Sequence, residues 1–183
     1  PAGWMDGPWA AHRVVNERFA DAVIADSPPD AVVLVQDYHL CLLAPKVRAA
    51  RPDLRLVHFS HTPFAPPSWL RMLPDGARVE LLDGMAAHHA CGFHAPRWER
   101  DYLDSCEDAR RPANATFVAP LGPDAADLRA TADGAAAAAA RAELDERVGD
   151  CAFLVRVDRI ELSKNVLRGF QAYAALLEAE PER

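Results

Sequence analysis

The sequence predicts an α/β fold in which helices cover a parallel sheet. Segments with strand character alternate with segments of helical periodicity along nearly the whole chain, which is the pattern of a parallel sheet. The apolar run "AVVLV" at 31–35 shows no polar alternation, as is typical of a strand buried on both faces. Half of the 183 residues are hydrophobic, so the chain can bury the core of one domain or slightly more.

Each element follows from a local pattern. Apolar residues recur at helical spacing in 9–25, and a loop with two prolines separates this helix from the strand at 31–36. Three prolines in "HTPFAPPSW" exclude helix and inner strand. The other predicted elements, in chain order, are a helix at 40–50, a strand at 54–60, one or two helices in 68–87, a strand within 88–94, a helix at 96–107, a strand at 115–122, a helix over 124–148, a strand at 151–158 and a helix at 165–179.

Composition narrows the partners and the compartment. The 20 basic and 27 acidic residues give a net charge of −7, which disfavours nucleic acid and anionic membranes as partners. No apolar run approaches the roughly 20 residues of a membrane helix, and no N-terminal leader is visible. The four cysteines form no CxxC pair, so we expect buried reduced thiols and a cytoplasmic protein. The oligomeric state is not predicted.

Polar clusters follow three predicted strands. They begin at Asp37, at His61 and at Arg159. In parallel sheets, ligands bind beyond the carboxyl ends of the strands, so these clusters are candidates for one site. Each also has a simpler interpretation: Asp37 is a favoured N-cap, His61 fits a satisfied core histidine, and Arg159 fits a solvated surface cation.

Two further features bear on the chemistry. Arg159 and Lys164 flank the start of a helix, which together with its N-terminus makes a possible anion site. Seven histidines suggest a metal, but no HExxH or DxD pattern occurs. We therefore expect neither a metal hydrolase nor a bound cofactor.

Taken together, five segments resemble the trehalose-6-phosphate synthase family of retaining glycosyltransferases. They are, in chain order, "PWAAHRVVN" (family pattern W-x-x-Y-x-x-V-N), "VQDYHLCLLAPKVR" (H-D-Y-H-L-x-x-L), "LVHFSHTPFAPPSWLRMLP" (F-x-H-x-P-F-P followed by L-P), "ACGFHAPRWERDYLDSC" (L-G-F-Q and its helix) and "VDRIELSKNVLRGFQAYAALLEAEPE" (V-D/E-R-L-D-Y-S-K-G and its helix). The resemblance covers nearly all of the chain.

The resemblance implies a Rossmann-like fold of the GT-B type. Residues 1–148 would be most of the N-terminal acceptor domain, and 149–183 the first strand and helix of the C-terminal nucleotide-sugar-binding domain. The implied reaction moves glucose from a nucleotide sugar to glucose 6-phosphate with retention and without a metal. We expect the chain to be part of a longer protein, and its 183 residues to be inactive alone.

The resemblance also implies roles for individual residues. The catalytic pair would be Asp37, which orients the acceptor hydroxyl, and His61, which faces the donor sugar. The substrate-binding residues would be Trp9 and Tyr38 at the acceptor sugar phosphate and Arg159 and Lys164 at the donor diphosphate.

Departures from the family pattern fall mainly on the predicted acceptor side. His12 stands for a tyrosine and Gln36 for a histidine, while Asn165 stands for a glycine in the phosphate segment. Two alternatives therefore stay open. One is a pseudo-glycosyltransferase that couples a nucleotide-linked cyclitol to an aminocyclitol phosphate. The other is a catalytically silent sugar-phosphate-binding homologue.

Overall fold

A four-stranded parallel sheet forms the centre of the first part of the chain. The computed structural model describes residues 2–181, and within them the strand order is β1-β2-β3-β4. The strands are Val32–Gln36 (β1), Arg55–Ser60 (β2), Ala90–Phe93 (β3) and Ala115–Val118 (β4). The predicted α/β fold with a parallel sheet is confirmed.

Helices follow the strands in the predicted alternation. The α-helices are Asp6–Asp26 (α1), Ala44–Ala50 (α2), Pro67–Leu70 (α3), Asp75–Ala86 (α4), Pro96–Asp108 (α5), Ala125–Ala132 (α6), Ala135–Val148 (α7) and Val166–Ala179 (α8). Short 3-10 helices span Ala2–Met5, Tyr38–Leu40 and Leu162–Lys164. No helix within residues 2–181 has the length and apolar composition that a membrane span requires.

Two apolar clusters anchor the sheet. One joins α1, β1 and α2 through side chains such as Ala20, Val35 and Val47, and the other joins β3, α4 and α5 around Phe93 and Tyr102. Burying each large apolar side chain contributes about 1.5–3 kcal/mol. Together the clusters fix the strands that carry the candidate site.

Strand β1 differs from the prediction on one face. Val32 and Leu34 are 59% and 63% exposed, whereas Val35 is buried. Alternate side chains of a strand point to opposite faces, and the cluster with α1 and α2 covers only the face that bears Val35. The prediction that β1 is buried on both faces is therefore wrong for the described residues.

The cysteines are mostly buried, as predicted. Cys41, Cys91 and Cys106 are buried, but Cys151 is exposed. Burial raises the pKa of Cys41 to about 12 and that of Cys91 to about 11. These two thiols therefore stay protonated and unreactive near neutral pH.

The chain divides into two compact units, residues 1–122 and 123–183. In the second unit, Asp124 caps α6 by accepting hydrogen bonds from the N–H groups of Ala126 (2.9 Å) and Asp127 (3.2 Å). The single helix predicted over 124–148 is interrupted before Gly134, the N-cap of α7. The assignment of 1–148 and 149–183 to two domains of the family stays a prediction.

The strand predicted at 151–158 is absent. Residues 152–159 have no regular secondary structure, and Phe153, Leu154, Val155 and Val157 are exposed. A strand needs a neighbouring strand to satisfy its backbone N–H and C=O groups. The described part of the second unit contains no such neighbour.

Candidate functional site

The carboxyl edge of the sheet brings Asp37 and the loop after β2 together. Asp37 directly follows β1, and its backbone N–H donates to the carbonyl oxygen of Phe59 at 2.7 Å. The Thr62 hydroxyl donates to Asp37 Oδ1 at 3.1 Å. His61 lies between Phe59 and Thr62 in the sequence, so the two predicted catalytic residues share this edge.

Asp37 has an unusual backbone conformation. Its φ is 61° and its ψ is −175°, a region that residues other than glycine rarely adopt and that costs about 1–3 kcal/mol. Its carbonyl oxygen accepts a hydrogen bond from His58 Nε2 at 2.9 Å. Its side chain makes no capping hydrogen bond to the 3-10 helix that follows. The capping interpretation of Asp37 is therefore wrong, and its carboxylate keeps free acceptor capacity.

A buried histidine pair lies beneath Asp37. His58 and His88 are 0% and 1% exposed, and their rings pack edge to face with centroids 5.3 Å apart. His58 donates through Nε2 to Asp37, and His88 Nδ1 donates to the carbonyl of Met85 at 3.0 Å. Burial lowers the pKa of His58 and lowers that of His88 to about 4. His58 is buried and supports the strained peptide of Asp37.

His61 is held between two side chains from neighbouring strands. Its Nε2 lies 2.6 Å from Gln36 Oε1, and its Nδ1 lies 3.0 Å from His94 Nε2. Gln36 ends β1 and His94 follows β3. Gln36 was predicted to mark the acceptor side, but its hydrogen bond is to His61. The interpretation of His61 as a core histidine is wrong, because the residue is exposed.

Tyr38 and the segment after it are fixed by Asn16 of α1. Tyr38 is 56% exposed and stacks on His39 with ring centroids 4.1 Å apart. Asn16 is 1% exposed; it donates to the carbonyl of His39 at 3.1 Å and accepts from the N–H of Leu42 at 2.9 Å. No role was predicted for Asn16 from the sequence. A lone amide among the apolar positions of a helix is the signal that indicates such a buried contact.

Trp9 is anchored by a residue that the sequence analysis missed. Its Nε1–H donates to Glu80 Oε2 at 2.8 Å, and Arg13 also binds Glu80, with Nε 2.9 Å from Oε1. The hydrogen bond from Arg13 is the main cause that lowers the pKa of Glu80. The ring of His12 lies 5.2 Å from that of Trp9. The proximity of Trp9 to a bound acceptor stays a prediction.

A hollow of about 230 Å³ adjoins this edge. Its lining includes Tyr38, Ser60, Thr62 and Phe64. Tyr38 and Thr62 are exposed, and an aromatic ring with a hydroxyl group is suited to bind a sugar, since the two offer both an apolar face and hydrogen bonds. No cluster of three or more metal-binding side chains was found among residues 2–181, and metal independence stays a prediction.

In the second unit, Arg159 and Lys164 share one carboxylate. Glu161 Oε1 lies 3.3 Å from Arg159 Nη2 and 3.8 Å from Lys164 Nζ. The Ser163 hydroxyl donates to the same oxygen at 2.7 Å, and this hydrogen bond is the main cause that lowers the pKa of Glu161. Arg159 is 80% exposed, so its ion pair contributes little to stability. Both cations are available to a ligand with a higher negative charge.

The backbone conformation of Asn165 explains why the family pattern has glycine at this position. It precedes α8 with φ 51° and ψ 40°, in the left-handed region where glycine is best tolerated and asparagine is the usual alternative. The backbone can therefore make this turn without glycine. A hollow of about 570 Å³ at this end of α8 is lined by residues that include Glu161, Asn165 and Arg168.

The fold and the polar edge define a Rossmann-like α/β domain with candidate ligand-binding groups at the carboxyl ends of its strands. The profile described as glycosyltransferase family 20 matches residues 4–183. The chain belongs to this family.

Several relatives are similar over nearly the whole chain. The alpha,alpha-trehalose-phosphate synthase (UDP-forming) of Schizosaccharomyces pombe is 28% identical over 95% of this chain and 37% of its own length. The glucosylglycerol-phosphate synthase of a Picosynechococcus species is 24% identical over 95% of this chain and 41% of its own length. The alpha,alpha-trehalose 6-phosphate synthase structure from Burkholderia multivorans has a TM-score of 0.76 at 27% identity, covering 95% of this chain and 40% of that one.

A structure from E. coli bound with UDP-2-fluoro glucose has a TM-score of 0.72 at 26% identity, over 95% of this chain and 41% of that one. The chain thus spans about two fifths of the length of these relatives. The predicted family and fold class are confirmed. The predicted roles of Asp37, His61, Trp9, Tyr38, Arg159 and Lys164 stay predictions.

Proposed function

We propose that the protein containing this chain is a retaining glycosyltransferase of trehalose biosynthesis, which moves glucose from a nucleotide sugar to glucose 6-phosphate without a metal. The observation that carries the proposal is the carboxylate of Asp37, bound by the residue that follows His61 at the carboxyl edge of the sheet, in a chain that belongs to glycosyltransferase family 20. The named activities and the bound UDP-2-fluoro glucose of the relatives support this choice of substrates.

On the acceptor side, Asp37 binds and orients the attacking hydroxyl. Thr62 occupies Oδ1, which leaves Oδ2 to accept a hydrogen bond from the sugar. Trp9 and Tyr38 contact the acceptor sugar phosphate, and His61 faces the donor sugar. Correct placement of two reactants removes much of the entropic barrier to their reaction. Asp37 is not the nucleophile, because the leaving phosphate and the acceptor share one face of the sugar.

On the donor side, Arg159, Lys164 and the N-terminus of α8 bind the diphosphate. The leaving diphosphate gains negative charge as the glycosidic bond breaks. Preplaced cations and backbone N–H groups stabilise that charge more in the transition state than in the ground state. The diphosphate would replace Glu161 as the shared partner of Arg159 and Lys164, because it carries more charge than one carboxylate.

The proposal includes the domain assignment and the compartment. Residues 1–148 belong to the acceptor domain, and 149–183 begin the nucleotide-sugar-binding domain. Three buried thiols suit a reducing compartment, so the protein is proposed to be cytoplasmic.

Transfer assays on the full-length protein test the function. UDP-, GDP- and ADP-glucose would each be incubated with glucose 6-phosphate in the presence of EDTA, and release of nucleotide and formation of a phosphorylated disaccharide would be measured. We expect one donor to be used, with retention at the anomeric carbon. No transfer with any donor, or transfer only after a divalent metal is added, would contradict the proposal.

A different acceptor is the second candidate. His12 stands where the family pattern has a tyrosine, and one relative of similar identity is a glucosylglycerol-phosphate synthase. Parallel reactions with an aminocyclitol phosphate and a nucleotide-linked cyclitol would identify a pseudo-glycosyltransferase. Tight sugar-phosphate binding without turnover would identify a silent homologue.

A further inference from the structure

A chain of hydrogen bonds crosses the carboxyl ends of all four strands. Gln36 ends β1, His61 follows β2, His94 follows β3 and Leu121 follows β4. The N–H of Leu121 lies 3.3 Å from His94 Nδ1, His94 Nε2 lies 3.0 Å from His61 Nδ1, and His61 Nε2 lies 2.6 Å from Gln36 Oε1. Both nitrogens of both imidazoles therefore have a partner.

The N–H of Leu121 fixes the direction of every hydrogen bond in this series. A backbone N–H can only donate, so His94 Nδ1 is an acceptor and the neutral ring carries its hydrogen on Nε2. His94 Nε2–H then donates to His61 Nδ1, which leaves the hydrogen of His61 on Nε2. Gln36 Oε1 accepts this hydrogen, since an amide oxygen carries none. This one arrangement satisfies every group in the chain.

Packing holds the same rings in place. The Phe59 ring on β2 lies 5.0 Å from that of His61 and 4.8 Å from that of His94, with the second pair edge to face. Trp98 of α5 also packs edge to face against His94, with ring centroids 6.0 Å apart. The orientation of His61 thus depends on Phe59 of β2 and on His94 after β3, as well as on Gln36.

We propose that Gln36 and His94 are positioning residues that keep His61 in the Nε2–H form, as a hydrogen-bond donor. Because His94 occupies Nδ1, His61 has no free acceptor nitrogen and does not act as a base. A donor-sugar oxygen would take the place of Gln36 Oε1 at the exposed end of the chain. This deepens the proposed function and rests on it for the identity of the sugar. The tautomer itself follows from the geometry alone.

The amino-acid types at positions 36 and 94 are consistent with these positioning roles. The family patterns H-D-Y-H-L and L-G-F-Q place histidine at position 36 and glutamine at position 94, whereas this chain has them in the opposite order. Glutamine at position 94 could also donate, through its amide N–H, to His61 Nδ1. Both orders can thus supply a donor to Nδ1 and an acceptor to Nε2.

Nitrogen NMR on the full-length protein with ¹⁵N-labelled histidine tests the tautomer. His61 would be assigned by its loss in His61→Asn and measured at mildly alkaline pH. We expect hydrogen on Nε2 in the unsubstituted protein and in His94→Gln, because both supply a donor to Nδ1. In His94→Glu the new side chain only accepts, so hydrogen should appear on Nδ1. Hydrogen on Nδ1 of His61 in the unsubstituted protein would overturn the inference.

Transfer kinetics of His94→Gln and His94→Glu, which are nearly the same shape, test whether the tautomer of His61 affects use of the donor. His94→Glu should lower kcat/KM for the donor roughly tenfold relative to His94→Gln, about the effect of one hydrogen bond, with the acceptor KM unchanged. Equal donor kinetics in the two variants would refute the positioning role, provided that their thermal unfolding is alike. If the unsubstituted protein transfers no sugar while NMR finds the expected tautomer, the proposed function fails and the assigned tautomer stands.

Discussion

Acidification should weaken the sheet beneath Asp37 through His88. This histidine is buried against His58, and burial is the main cause that lowers its pKa from 6.5 to about 4, with the His58 charge second. The unfolded chain therefore binds a proton at His88 between these two values while the folded chain does not. Protonation then favours unfolding, so stability is greatest above pH 6.5 and falls as the pH drops toward 4.

The expected loss of stability follows from the difference between the pKa values of His88 in the unfolded and folded chains. The difference between the two pKa values corresponds to about 3–4 kcal/mol at most, at about 1.4 kcal/mol for each pH unit. The pKa of His58 is lowered in the same direction, so the two histidines act together. A loss of this size is a large part of the 5–15 kcal/mol that stabilises a typical domain.

Hydrogen exchange on the full-length protein measures the effect locally. Peptides that cover β2 and β3 would be followed at several pH values by mass spectrometry, which reports opening of the sheet without assuming two-state unfolding of the whole protein. His88→Asn is the comparison, because its amide can still donate to the carbonyl of Met85 but does not titrate. The ratio of the two proteins at each pH removes the intrinsic pH dependence of exchange.

We expect the unsubstituted protein to lose protection in β2 and β3 more steeply than His88→Asn as the pH falls below 6.5. The comparison depends on the slopes, so a constant loss of stability in the variant does not affect it. Equal slopes in the two proteins would refute the assignment of the acid sensitivity to His88.

Two substitutions test the candidate site, and a third tests the sheet that carries it. Asp37→Asn keeps an oxygen for Thr62 and should lower kcat at least tenfold with little change in melting temperature. Asp30→Asn, also at positive φ, is the control. A variant that mainly lowers the melting temperature would contradict the catalytic role of Asp37. Lys164→Ala should lower kcat/KM for the donor by an amount equivalent to about 1.5–3 kcal/mol, with Lys46→Ala as the control. Unchanged donor kinetics would exclude a contact between Lys164 and the phosphate. Gly92→Ala should destabilise the sheet by about 1–3 kcal/mol, because a Cβ there would approach two phenylalanine rings more closely than real Cβ atoms do. Unchanged urea unfolding would contradict this prediction and show that the rings can move.

The sequence predicted that β1 and β2 end in polar residues, because apolar runs and turn residues are local patterns. It also predicted that Asp37 and His61 lie at one edge, since parallel strands end on the same side of the sheet. It could not predict that Gln36 and His94 both contact His61. That depends on the order and register of three strands, which no short segment encodes.

Other features depended on contacts between distant segments. The anchor of Trp9 is Glu80, 71 positions away, and nothing near either residue indicates the pair. The apolar run at 151–158 was predicted as a strand from its composition, but strand formation requires a paired neighbour. Composition alone therefore overestimated the regular structure of the second unit.

The backbone of Asp37 links the fold to the proposed chemistry. Its conformation costs about 1–3 kcal/mol, and two hydrogen bonds to the same residue, from its N–H to Phe59 and from His58 to its carbonyl, can offset about 1–3 kcal/mol. Glycine would adopt this conformation without the steric cost. A carboxylate there makes no capping hydrogen bond and accepts one from the Thr62 hydroxyl through Oδ1, so Oδ2 remains free to bind a ligand. The strain thus supports Asp37 as a ligand-binding residue independently of its resemblance to any family pattern.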